Sequence, residues 1–283
     1  MRLTLKTNCV QMKSKIVSVL LFSFLLISCG EYNKILKLTD LDKKFEYAKQ
    51  YYNDGKFSRA VTLLEEVVQM RRSSAVGEEA LYLLAQSHYK MKDYLTASEY
   101  FSNYFKTYSR GEFVESARFY SAYGLFLESP DPRLDQAQTY KAMEQFQDFI
   151  ELFPQSERKE EAQNILFQLQ EKLALKELMT ARLYYNLGEF LIVPFPGGNY
   201  LSGVITAQNA LRSYPYTQYR EEFMYLIFKS KYELAIRSVD EKKDFRYRDV
   251  VDEYYACVNE FPEGRFTKEV KRLYQSIDRR LNQ

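Results

Sequence analysis

Ala48-x-x-Tyr51-Tyr52-Asn53-x-Gly55-x-Phe57 returns further along the chain as Ala181-x-x-Tyr184-Tyr185-Asn186-x-Gly188-x-Phe190. Six identities at fixed spacing, outside any low-complexity tract, mark an internal repeat. A second register is broader. Tyr94, Ala97, Phe101 and Tyr108 place an aromatic, a small residue, a large residue and another aromatic at steps of three, four and seven. Tyr247, Val250, Tyr254 and Phe261 repeat that order. Thr139, Ala142, Phe146 and Phe153 follow it, as do Tyr200, Gly203, Ala207 and Tyr214, each with one substitution. Phe57, Ala60 and Leu64 begin it, and Arg71 breaks the last position. Steps of three, four and seven fall on one helical stripe. Three blocks close with Phe153-Pro154, Tyr214-Pro215 and Phe261-Pro262, and Ser156, Thr217 or Gly264 stands two residues on. Proline cannot continue a helix, and the small residue permits a turn and a fresh start. Each unit therefore predicts a helical hairpin with a fixed turn. The small residue lets facing helices approach closely. One hairpin cannot cover its own apolar face, so several stack into a solenoid.

These units resemble the tetratricopeptide repeat, whose period is about 34 residues. The first step, Phe57 to Tyr94, is 37, and the next are 45, 61 and 47. The excess has visible sources: Ser129-Pro130-Asp131-Pro132, a long helix over about 156–187, the Pro/Gly-rich insert at 191–199, and the stretch 237–243. The expected fold is all-α: about five hairpins and a C-terminal capping helix near 267–281.

The start of the chain reads differently. Lys13 and Lys15 precede an apolar run from Ile16 to Ile27, which ends at Leu26-Ile27-Ser28-Cys29. A cationic start, a short apolar segment and a small residue at the cut form an export signal. The run stops well short of the roughly 20 apolar residues that a spanning helix needs. The four residues before and at the cut resemble the lipobox of bacterial lipoproteins. That resemblance implies cleavage after Ser28 and lipidation of Cys29. Residues 1–28 then form the signal peptide, 29–44 a lipidated tether, 45–155 the first three repeats, and 156–283 the long linking helix, the last two repeats and the cap.

Composition supports a packed helical chain. There are 25 Tyr and 20 Phe but no Trp, and only 10 Gly and 7 Pro, which favours helices over turn-rich β structure. The formal charge is +2; loss of Arg2, Lys6, Lys13 and Lys15 with the leader, and of no acids, turns it into −2. Such a balance gives no global reason to bind nucleic acid. Of the three cysteines, Cys9 leaves with the leader and Cys29 takes lipid, so Cys257 has no partner and is expected to be buried.

No catalytic, cofactor or metal set is legible. His88 is the sole histidine, on a face with Leu81, Leu84 and Ala85, and reads as a packing residue. With one histidine and one free thiol, no zinc set or nucleophile–base pair can be argued. The pairs Glu65-Glu66, Glu78-Glu79, Glu160-Glu161 and Glu221-Glu222 are expected mostly at helix starts, where they complement the dipole. Pro196-Gly197-Gly198-Asn199 lacks the lysine and spacing of a phosphate loop. Tyr52, Tyr89, Tyr185 and Tyr232 share one repeat position and read as core. Tyr51, Tyr82, Tyr120 and Tyr184 lie on neighbouring faces and are the candidate lining of a peptide groove, because tyrosine offers flat apolar area and a hydroxyl for a ligand backbone. The apolar segment Ile192–Pro196 is expected to be a loop. Arg158-Lys159, Lys242-Lys243 and Arg279-Arg280 read as solvated basic pairs.

The lipobox, five irregular repeats and the length together resemble the BamD family, the lipoprotein subunits of the outer-membrane β-barrel assembly machinery. Ser28-Cys29-Gly30-Glu31-Tyr32-Asn33-Lys34, Leu134-Asp135-Gln136, Phe146–Pro154 and Tyr219-Arg220-Glu221-Glu222 are similar to the Bacteroidetes branch. The resemblance implies a non-enzymatic scaffold on the periplasmic face of the outer membrane. Its partners would be the central barrel subunit and unfolded outer-membrane proteins. The insert at 191–199 departs from the family pattern. The competing expectation is another envelope lipoprotein with such repeats, for example one that captures glycans at the cell surface. The absence of Trp and of an acidic run after Cys29 weighs against it.

Overall fold

Turn chemistry fixes where the helices stop. Gly55 has φ 73° and Gly188 φ 51°, positive values that glycine adopts without steric cost. Both stand at the Asn-x-Gly of the repeated stretch. Lys92 also has a positive φ, 64°, in the next hairpin turn. The structure is a computed structural model and describes residues 31–188, 190 and 198–281, with side chains as far as 277. The leader, Cys29, Ile192–Pro196 and the side chains of Arg279-Arg280 lie outside the described residues.

Among the described residues twelve helices run in order and there is no strand. They are α1 (31–36), α2 (Leu41–Asn53), α3 (Phe57–Met70), α4 (Ala75–Lys90), α5 (Tyr94–Thr107), α6 (Val114–Leu127), α7 (Ala137–Leu152), α8 (Lys159–Leu187), α9 (Gly198–Ser213), α10 (Arg220–Ile236), α11 (Asp240–Glu260) and α12 (Thr267–Leu281). Asp40 caps α2, its carboxylate accepting from the amides of Asp42 and Lys43, both at 3.1 Å. The Lys43 amide is the main reason that the Asp40 carboxyl lies below its ordinary pKa. Ser74 caps α4 through the Gly77 amide.

The described residues form two compact units, divided after Glu128. In the first, each of α2 to α6 packs on the next, and α2 also reaches α4. In the second, each of α7 to α12 packs on the next, and α8 reaches α10 and α10 reaches α12. The even-numbered helices thus form an inner row in each unit. This is the tetratricopeptide-like repeat architecture.

The core sits where the repeat register places it. Ala60, Ala97, Ala142 and Val250, the small residues of the second register, are all fully buried. Phe101 and Phe146 are buried beside them, each worth about 1.5–3 kcal/mol over exposure. Tyr52, Tyr89, Tyr185 and Tyr232 are half-buried against four successive clusters. Of the stretch expected as a tether, α1 packs on the first hairpin through buried Ile35. Lys44 is buried as well; its Nζ donates to the Leu36 carbonyl at 3.1 Å and to Glu66 at 2.7 Å.

Cys257 is buried in the cluster with Tyr247 and Val250. Burial, with smaller contributions from Glu253, Glu260 and Glu221, pushes its thiol up to about 12. At pH 8 its thiolate fraction is about a thousandfold below that of an ordinary thiol. Maleimide is therefore expected to label the folded protein negligibly and the urea-unfolded protein fully, read by intact mass. Rapid labelling in the folded state would contradict this packing.

Candidate functional site

The four candidate groove tyrosines all lie on even-numbered helices, three in the first unit and one in the second. Tyr82 and Tyr120 share the Phe101 ring, at 5.8 and 5.6 Å between centroids. Tyr82 also stacks on Phe113 at 4.4 Å and accepts from Gln86 at 3.1 Å. Both are half-buried in the aromatic cluster of α4, α5 and α6. Tyr51 stands apart, edge-on to Tyr32 at 5.6 Å with Arg59 over its ring. Tyr184 belongs to the second unit, half-buried beside Gly203 of α9.

The open groove of the first unit has other walls. It measures about 1050 Å³ and runs between α2 and the start of α4. Phe45, Tyr47 and Val76 give it apolar floor, and Glu46, Lys49, Gln50, Asn53 and Glu79 give it polar rim. Lys49 bridges the rim, 2.8 Å from Glu46 and 3.9 Å from Glu79, and Glu46 first and Glu79 second hold its pKa above the ordinary value. The rim spacing, 46, 49, 50 and 53, was the available signal. It is the face of α2 that adjoins Phe45, whose ring lies 4.7 Å from the Lys49 ammonium.

Carboxylates on the inner helices fix the turns that follow. Glu78 of α4 accepts from the Tyr104 hydroxyl at 2.7 Å and from the Glu112 amide at 3.0 Å in the turn before α6. Glu171 of α8 accepts from Thr217 and the Gln218 amide, both at 3.2 Å, before α10. Glu221 of α10 accepts from the Phe266 amide at 3.0 Å before α12. Gly111 and Gly264 make room: a Cβ on either would stand 2.2 or 2.3 Å from the carboxylate oxygen. Glu78 and Glu221 do lie in first helical turns, as dipole complementarity demands, but their long-range bonds were not legible in the sequence. Burial first, and Glu78 second, raises the Tyr104 hydroxyl well above its ordinary pKa, so it remains a donor at any physiological pH. Glu78→Ala strands the buried Tyr104 hydroxyl and an amide, and is expected to cost about 2 kcal/mol in urea denaturation. A change below 0.5 kcal/mol would remove the carboxylate from this role.

In the second unit the inner row carries Lys229 of α10. Its ammonium lies 5.0 Å from the Tyr185 ring and 5.2 Å from the Tyr225 ring, 3.3 Å from Glu269 of α12 and 2.8 Å from the Tyr225 hydroxyl. Burial opposes its charge, but Tyr225, Tyr185 and Glu269 outweigh burial and hold its pKa up. His88 is a packed side chain, its Nδ1 3.0 Å from Asp93 and its ring stacked on Tyr100 at 5.2 Å. Among the described residues no group of three His, Cys, Asp or Glu is placed to hold a metal ion, and no helix is long and apolar enough to cross a membrane.

Hairpins stacked in each unit, with a groove along an inner row of the first, define a tetratricopeptide-like helical-repeat protein. The model of the YfiO family, described as "Outer membrane lipoprotein", matches residues 39–193, and the chain belongs to this family. It is also 25% identical over 182 residues to a protein of Aquifex aeolicus (strain VF5) named as an outer membrane protein assembly factor, BamD. That similarity covers 62% of this chain and 58% of the Aquifex protein, so the chain spans less than two thirds of that relative. By family the chain is thus BamD-like.

Proposed function

We propose that the chain is a lipid-anchored scaffold of the machinery that assembles β-barrel proteins in the outer membrane. Cys29 carries the acyl chains, and the repeats stand on the periplasmic face. The groove between α2 and α4 takes an extended segment of an unfolded barrel client. The second unit docks the central barrel subunit. No bond is made or broken in this role.

The observation that carries the reading is the groove, in a chain of this family. Its apolar floor suits alternate side chains of an extended segment, and Gln50, Asn53 and Lys49 can meet the backbone between them. Exposed Leu201 and Ile205, one helical turn apart on α9, offer apolar area for a docked domain. Anchoring raises the local concentration of the scaffold near membrane-bound partners.

The native protein, purified from gently solubilised membranes, tests this reading. The central barrel subunit is expected to co-purify in stoichiometric amount. Its absence would refute the docking role.

A further inference from the structure

Two hairpin turns of the first unit lie side by side. Ser58 donates to the Met91 sulfur at 3.3 Å, and a hollow of about 430 Å³ is lined by Gly55, Lys56, Phe57, Ser58, Arg59 and Met91. The edge is basic. Lys56, Lys90 and Lys92 are exposed, and Arg59 is half-buried among them. Its acids are Asp54, 2.9 Å from Lys56, and Asp93, held by His88, so positive charge is in excess.

The chain enters at this edge. Tyr32 of α1 lies under the Arg59 guanidinium at 5.1 Å and its hydroxyl donates to the Arg59 carbonyl at 3.4 Å. Ile35 and the Lys44 bonds fix α1 on the hairpin. Tyr32 is three residues from Cys29, a span of at most about 10 Å. That is about one Debye length in 0.1 M salt, so a membrane reached by lipid on Cys29 acts on these charges. Exposed Lys34 and Lys37 add to the excess and Glu31 subtracts from it.

We propose that the basic edge formed by residues 54–59 and 90–93 lies against the anionic phosphate headgroups of the bilayer that holds Cys29. The proposal rests on the anchored reading above. It makes the first unit a docked body rather than one swinging on a tether, with Met91 and Phe57 between the basic residues at the headgroup level. The partner is a lipid surface, since the covalent reach from Cys29 leaves space for little else.

Lysine footprinting tests it. The protein isolated from its own membranes is reconstituted in vesicles of phosphatidylethanolamine with phosphatidylglycerol, and in vesicles of phosphatidylcholine alone. Both vesicle preparations, and the native membranes before extraction, are treated with an amine-acetylating reagent and digested for mass spectrometry. A surface potential of about −30 mV alone keeps amines protonated enough to slow them about threefold. Lys56, Lys90 and Lys92 are expected to react at least that much more slowly in the anionic vesicles. Lys141 and Lys268, exposed in the second unit, serve as internal references. Equal rates for the three edge lysines in both vesicle types would overturn the proposal. So would protection seen only in native membranes, which would assign the edge to an acidic protein. The mass of the N-terminal peptide in the same digest reports on the anchor separately. Unmodified Cys29 with a protected edge would refute the anchor and keep the edge.

Discussion

Phe101→Ala is expected to destabilise the first unit by about 3–5 kcal/mol, the cost of deleting a fully buried aromatic and leaving a cavity. Phe101 has no exposed surface. It sits between Tyr82 of α4 and Tyr120 of α6, so its loss uncouples three successive helices rather than one pair. Ring–ring geometry adds about 0.5–1.5 kcal/mol per pair beyond area. Urea unfolding followed by far-ultraviolet circular dichroism measures the change. The expected signature is a shift of the first unit's share of the helical signal to lower urea. Leu134→Ala, at an exposed position, should move nothing by more than about 0.5 kcal/mol. A Phe101→Ala protein within 1 kcal/mol of the parent would mean that the aromatic cluster does not hold the inner row together.

Cys29→Ala, carried on an ordinary cleavable leader in place of residues 1–28, is expected to move the protein almost completely from the membrane pellet to the soluble periplasmic fraction. One acyl chain anchors marginally and two or more anchor stably, at about 0.8 kcal/mol per buried methylene. No described helix can substitute for them by crossing the bilayer. The basic edge at Lys56, Lys90 and Lys92 leaves only a residual association, which moderate salt should remove because surface charge is screened within a Debye length. Fractionation and immunoblotting read both effects. A variant that stays in the pellet at high salt would show that something other than lipid holds the chain there.

Most of the fold was legible because repeats write the same physics several times. The steps of three, four and seven placed Ala60, Ala97, Ala142 and Val250 at the closest helix approaches, and all four are buried. The aromatic–proline closures marked true helix ends, and the long helix and the capping helix fall near their expected bounds. What the sequence did not disclose depends on distance along the chain. Glu78 and Gly111 are a full repeat apart, and nothing local to either says that one needs the other absent a side chain. The helix-dipole reading of the glutamate pairs was sound but incomplete for that reason.

The groove illustrates a second limit. Tyr51, Tyr82, Tyr120 and Tyr184 share inner helices, but a helix has several faces, and register alone does not say which one a neighbour covers. Phe113, from the turn that Glu78 holds, stacks on Tyr82 and takes its face. Tyr47 and Val76 line the opening between α2 and α4. The separation into units after residue 128, by contrast, falls at Ser129-Pro130-Asp131-Pro132, the interruption visible in the sequence.

Depletion of the protein in its own cells tests the central claim most directly. Folded β-barrel proteins, quantified by heat-modifiable mobility and proteomics of isolated outer membranes, are predicted to fall together while helical lipoproteins of the same membrane persist. Outer membranes with their full complement of folded barrels after depletion would contradict the account.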